Sequence, residues 1–129
     1  MNFEIGNIEF ADCRIIEMLF SKNYTNLSII FEESYHIGEK TWLGKTKLII
    51  SNWKDLTVEK YVTKSLDSKG QTFIIDWEKE SETFEMIQES LQNENDLSLS
   101  GFSKETGNWL TYNFKNCDYT ISLENNHSY

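Results

Sequence analysis

The chain has 129 residues, of which 39% are hydrophobic and 14% aromatic, so it can bury the core of one domain over residues 1–129. Its formal net charge of −9 argues against binding nucleic acids or anionic membranes through a basic surface. No run approaches the roughly 18 apolar residues that span a bilayer, and residues 1–6 lack the features of a signal peptide. We therefore expect a cytoplasmic protein.

Several segments alternate apolar and polar residues with the period of two that is typical of half-buried strands. Residues 58–65 combine helical spacing with strand-forming Val and Thr, and both structures stay open there. About eight short strands at this spacing predict an antiparallel sheet or sandwich. The segments that predict strands are residues 8–10, 14–20, 27–32, 42–43, 48–50, 73–77, 97–99, 109–114 and 119–123.

One segment interrupts this pattern. Phe84, Ile87 and Leu91 have the i, i+3, i+7 spacing of a helix face. Ser81 is a suitable N-cap, and Glu82 falls in the first turn, where the helix dipole favours negative charge. We predict one amphipathic helix at about residues 81–92, packed on the sheet, and an α+β, mainly β fold. A strand over residues 83–87 is the alternative.

Most of the excess negative charge lies on this segment and its flanks. Residues 70–96 contain eight acidic residues and one lysine. On a helix, Glu78/Glu82 and Glu85/Glu89 would be like-charge pairs that each cost about 0.2–0.5 kcal/mol. Such a cluster is either a solvated face that aids solubility or a docking surface for a basic partner. The acidic candidates for partner binding are Glu78, Glu80, Glu82, Glu85, Glu89 and Asp96.

The four tryptophans divide by their surroundings. Trp77 and Trp109 lie in strand-like runs, which favours core packing. Trp53 lies in a polar segment, so we expect it to be exposed and add it to the partner-binding candidates. Trp77 is a second candidate anchor.

Catalytic and metal-binding motifs are absent from the sequence. Cys13, Cys117, His36 and His127 lack the spacing of a zinc site, and the Ca²⁺ loop pattern is missing. Without a secretory signal, the two cysteines are expected to be reduced thiols. No nucleophile elbow, phosphate loop or dinucleotide fingerprint occurs. We expect a non-catalytic protein that needs no cofactor and no metal.

The most distinctive stretch is residues 97–112, LSLSGFSKETGNWLTY. With the acidic segment before it and the final strand after it, it resembles the small acidic immunity proteins that bacteria encode beside polymorphic toxins, as in contact-dependent inhibition. The resemblance implies a cytoplasmic protein that binds one cognate toxin domain, often a nuclease, and blocks it. A nuclease groove is cationic because it holds phosphates, so its inhibitor should be acidic.

Two other functions stay open. The aromatic content also fits a β-module that binds a carbohydrate or small molecule through exposed rings. A small hydrolase or isomerase would need a deep pocket that contains His36 or a carboxylate with a shifted pKa.

Overall fold

The structure, a computed structural model, describes residues 3–62 and 70–124. Over these residues the chain forms twelve strands and a single 3₁₀ turn, Ile5–Asn7. The strands are β1 (Ile8–Glu9), β2 (Ile15–Phe20), β3 (Asn26–Phe31), β4 (Ser34–His36), β5 (Thr41–Leu43), β6 (Thr46–Ser51), β7 (Asp55–Val62), β8 (Gln71–Ile75), β9 (Phe84–Asn93), β10 (Asp96–Ser103), β11 (Trp109–Lys115) and β12 (Asp118–Leu123).

The strands form three antiparallel sheets. The five-stranded sheet has the order β8-β7-β11-β10-β9, the four-stranded sheet β12-β6-β3-β2, and the three-stranded sheet β1-β4-β5. The prediction of a mainly β, antiparallel fold is therefore confirmed. The strand count is higher than the predicted eight because the pattern did not indicate the short β4, β7 contains the ambiguous residues 58–62, and β9 replaces the predicted helix.

The predicted amphipathic helix at residues 81–92 is wrong. Residues 84–93 form β9, which pairs with β10 along its length. Two irregularities in this pairing leave Glu85 and Gln88 as extra residues. Each extra residue increases the sequence spacing between inward-facing positions from two residues to three. Phe84 and Ile87 therefore have a helix-like spacing. Leu91 faces outward and is 68% exposed.

The core lies between the four-stranded and five-stranded sheets. Alternate residues of β3 and of β11 are buried and belong to one hydrophobic cluster, so the two sheets pack face to face. The rings of Phe10 and Phe31 stack at 4.3 Å within this cluster. Tyr112 is fully buried, and burial raises the pKa of its hydroxyl.

The three-stranded sheet extends one long hairpin. Strand β3 pairs with β6, and further along the same two chain segments β4 pairs with β5. Where the ladder is interrupted, the buried hydroxyls of Ser34 and Thr46 hydrogen-bond at 2.6 Å. This hairpin places Tyr35 and Trp42 opposite each other, with ring centroids 5.1 Å apart and Trp42 61% exposed.

The ambiguous segment at residues 58–65 is strand as far as Val62. The rest of that segment, residues 63–65, and His127 lie outside the described residues. Phe73 and Ile75 lie in β8 as predicted, whereas Trp77 lies in the turn that follows it.

Candidate functional site

The acidic residues predicted to lie on one helix and its flanks are on different elements. Glu78 and Glu80 are exposed in the segment between β8 and β9. Glu85 is the extra residue of a β9 bulge, whereas Glu89 is paired with Ser100 and faces outward from the sheet. The predicted acidic cluster is thus divided between a loop and a strand. A role for each residue in partner binding stays a prediction.

Glu82 is held within the chain. Its carboxylate accepts hydrogen bonds from Lys60 Nζ at 2.7 Å, Ser103 Oγ at 2.8 Å and Thr106 Oγ1 at 2.7 Å. Its main-chain oxygen accepts the hydroxyl of Tyr112. Burial alone would raise the pKa of Glu82, but the three donors and the charge of Lys60 lower it overall. Both carboxylate oxygens are therefore occupied by the protein itself.

Asp96, the first residue of β10, holds the segment where β11 ends. Its Oδ1 accepts the Asn116 amide at 2.9 Å, and its Oδ2 lies 3.3 Å from Lys115 Nζ. The Asn116 hydrogen bond and then the lysine lower the pKa of Asp96. This carboxylate thus stabilises the local turn.

Trp53 is half-buried, contrary to the expected exposed anchor. Its ring packs 5.4 Å from Phe114 and 6.1 Å from Trp77, measured between centroids, and lies against the core. Trp77 donates its indole N–H to the Leu56 carbonyl at 3.0 Å. The two tryptophans close one end of the sandwich together with Phe20.

The structure instead brings aromatic side chains together on the outer face of the five-stranded sheet. Register places Tyr61, Trp109, Phe102 and Met86 directly side by side on β7, β11, β10 and β9. We call these four residues the outer row. Neighbouring strands are about 4.8 Å apart, so the row spans about 14 Å. Tyr61 is 43% and Phe102 47% exposed, and the Phe102 and Trp109 rings meet edge to face at 5.2 Å.

The next row of the same face is mixed. It contains Ile74, Glu59, Thr111, Ser100 and Glu89, one from each strand of the sheet. Ile74 is 67% exposed, and the hydroxyls of Ser100 and Thr111 hydrogen-bond at 2.9 Å. The outer row is therefore bordered by carboxylates at two positions and by polar groups between them.

The outer face as a whole is acidic. The alternation of side chains along each strand places four carboxylates and one lysine on it, and the lysine already contacts one of the carboxylates. These residues are Asp55, Glu59, Glu89, Asp96 and Lys115. A partner that covers this face must therefore tolerate or complement negative charge.

The outer row was not recognised from the sequence. The sequence favours core packing for Trp109, whereas the register places it on the outer face beside Phe102. Its members lie far apart in the chain, from Tyr61 to Trp109, and only the strand register makes them neighbours. Alternation alone does give a signal, since Trp109 and Thr111 alternate with the buried Leu110 and Tyr112.

His36 borders a surface cavity of about 480 Å³ that is open to solvent. Its Nδ1 accepts the Glu39 amide at 2.9 Å, and its ring meets Phe3 edge to face at 5.6 Å. Because Nδ1 is occupied by a backbone donor, it is not free to accept a proton from a substrate. The remaining lining residues are Glu4, Asn7, Thr41, Leu43 and Leu123.

The two cysteines are buried free thiols. Burial, followed by the charges of Glu33, Glu9 and Asp12, raises the pKa of Cys13 to about 11. Burial also raises the pKa of Cys117. Because a thiolate is the reactive form, these environments suit small core residues rather than nucleophiles.

Over residues 3–62 and 70–124, no group of three or more His, Cys, Asp or Glu residues is arranged to hold a metal ion. The same residues include no helix that meets the length and hydrophobicity needed to cross a bilayer. No protein-family model, curated protein or solved structure matches this chain.

Proposed function

We propose that this chain is a non-catalytic, cytoplasmic binding protein that docks a basic protein partner on the outer face of its five-stranded sheet. The partner is a bacterial toxin domain, and the chain acts as its immunity protein. The observation that supports this most directly is the outer row, in which partly exposed aromatic side chains lie side by side on a rigid sheet.

The outer row has the composition of a binding hot spot. Trp, Tyr, Phe and Met are enriched at the centres of protein interfaces, where they bury large areas at small entropic cost. Here the backbone that carries them is paired on both sides, except at Met86 on the edge strand β9, which has only an isolated bridge to Arg14 on its outer side. Little conformational freedom is therefore lost on binding, which favours affinity.

The carboxylates around the row define the chemistry of the partner. Glu59 and Glu89 lie in the adjacent row on β7 and β9, and the face has more carboxylates than lysines. Lysines or arginines at the rim of the partner's surface would complement this charge and accelerate association. Binding of this kind weakens as salt rises.

Carbohydrate binding is a second candidate, and the polar groups beside Trp109 favour it. Thr111 and Asn113 carry hydroxyl and amide groups on the same face as the indole ring, and the buried Ser100 hydroxyl hydrogen-bonds Thr111. A sugar ring stacked on Trp109 would find hydrogen-bonding partners there.

The first test concerns the outer row. If the neighbouring gene encodes a secreted toxin, its toxin domain is the probe, and calorimetry measures its affinity for purified protein; a neighbouring gene of another kind would refute the immunity function. Trp109→Ala should weaken binding by about 2 kcal/mol, or about 30-fold, because it removes the central ring. Trp42→Ala is the matched control, since Trp42 is 61% exposed on the three-stranded sheet and should leave affinity unchanged.

Charge reversal then separates the outer face from the loop. Glu59→Lys with Glu89→Lys should lower affinity at low salt and flatten the salt dependence. Glu78→Lys with Glu80→Lys changes the net charge equally but in the segment between β8 and β9. A larger loss in this loop variant would place the partner on the loop and refute the outer-face site.

A toxin domain that does not bind the wild-type protein would refute the immunity function. In that case, gel retardation by soluble polysaccharides examines the second candidate. Retardation of wild-type protein that disappears in Trp109→Ala would assign the outer face to carbohydrate instead.

A further inference from the structure

The two large sheets have four edges, and three of them carry features that hinder pairing with another strand. Strand β9 has two bulges and bridges to Arg14. Strand β2 has a bulge between Ile15 and Glu17. Along β12, the amide of Phe3 donates to the Ile121 carbonyl at 3.2 Å, so the N-terminal segment covers part of that edge. Bulges and covered edges are the usual protection against unwanted strand addition.

The fourth edge, β8, has none of these features among the described residues. Its pairing with β7 is regular, and residues 70–75 contain no charged residue and no proline. Phe73 is 45% and Ile74 67% exposed, on opposite faces of the strand. A regular, uncharged and apolar edge is a ready template for another strand.

We propose that two copies of this chain pair through β8, antiparallel across a two-fold axis, to form a continuous ten-stranded sheet. This inference is independent of the proposed function, since it concerns a sheet edge and the protein alone.

The register follows from the strand itself. Full overlap of two five-residue strands places the axis at the middle residue, so Phe73 faces Phe73 of the second copy. Thr72 then faces Ile74 of the second copy, and each side chain keeps its own face of the sheet. Both exposed apolar side chains gain a neighbour by this pairing, which is the isologous contact of a two-fold dimer.

The charge pattern also fits self-pairing. In this register Asp76 lies beside Gly70 of the second copy, so no two like charges are opposed along the strand. The net charge of −9 on each copy still opposes association over longer range. Salt screens that repulsion, so dimerisation should strengthen as ionic strength rises. Binding of a basic partner has the opposite salt dependence.

Sedimentation velocity tests the dimer. The wild-type protein should dimerise with increasing protein and salt concentration. Phe73→Lys and Phe73→Glu should each be monomeric, because each places two like charges on the axis. An equimolar mixture of the two variants should recover a heterodimer, since lysine then faces glutamate. Leu91→Lys, at a 68% exposed position on β9, is the matched control and should dimerise like the wild type.

Hydrogen exchange of the wild-type protein gives a second measurement that needs no variant. Those amides of residues 71–75 that point away from β7 should exchange more slowly at protein concentrations where the dimer forms. A wild-type protein that stays monomeric, a dimer that survives Phe73→Lys, or a mixture without recovery would each overturn the proposal.

Discussion

Glu82 shows how one largely buried carboxylate can organise several strands. It lies between β8 and β9, yet it receives hydrogen bonds from Lys60 on β7 and Ser103 on β10. Its side chain is 13% exposed and that of Lys60 24%, so water screens their interaction only in part. Removing the Glu82 carboxylate would take this acceptor from all three donors, including the buried hydroxyl of Ser103, and an unsatisfied buried donor is costly.

We expect Glu82→Gln to lower the free energy of unfolding by about 2 kcal/mol at neutral pH. Because the folded-state pKa of Glu82 is lowered from 4.5, the stabilisation is complete above that value and is lost as pH falls through the folded pKa. Urea unfolding of the wild-type and variant proteins at neutral and acid pH measures this stabilisation. Glu80→Gln, in the exposed loop, should change the free energy of unfolding little at either pH. A loss of stability in Glu82→Gln that is equal at both pH values would contradict this role of the Glu82 carboxylate.

Single residues also show what sequence reasoning could reach. The inward positions Leu27, Ile29 and Ile121 follow from strict alternation, and the structure buries all three completely. Trp53 was misjudged because its sequence neighbours are polar, whereas its burial depends on Phe114 and Trp77, which come from distant parts of the chain.

At the scale of elements, β9 and β10 form the hairpin in which local pattern and final structure disagree. The bulges at Glu85 and Gln88 give β9 a spacing of three, which is indistinguishable from one face of a helix. Pairing with β10 decides the outcome, and no local signal specifies it. The outer row was beyond sequence reasoning for the same reason, since register alone aligns Tyr61, Trp109 and Phe102.

Gly101 permits the close approach of β9 at these bulges. A Cβ at this position would overlap the Met86 carbonyl oxygen and lie 3.0 Å from the Ile87 Cα, both on the neighbouring backbone. Gly101→Ala should therefore lower the free energy of unfolding by about 3 kcal/mol in urea titrations. Gly44→Ala meets no atom within 4 Å and should be nearly neutral. Equal effects of the two substitutions would refute this account of the bulge.

At the scale of the whole molecule, the fold depends on pairing between distant segments. Strand β12 pairs with β6, and β11 pairs with β7. Bringing such segments together requires large loops to close before contacts form, which slows folding. The overall antiparallel architecture was predictable from repeated alternation, but the strand order was not, because many orders satisfy the same pattern.

The chain contains no proline, and its two described cysteines are free. Refolding after dilution from urea should therefore lack the phase of tens of seconds that proline isomerisation causes. Stopped-flow fluorescence with variable delay after unfolding measures this. Refolding amplitudes that depend on the delay would contradict the expectation.

The hydrogen bond between Phe3 and Ile121 puts the first and last described segments at the β12 edge of the four-stranded sheet, which packs behind the outer face. A tag or surface anchor joined near either of these residues would hold the molecule from its back. The aromatic surface would then point away from a sensor chip or bead, which makes this chain well suited to immobilised capture of whatever it recognises.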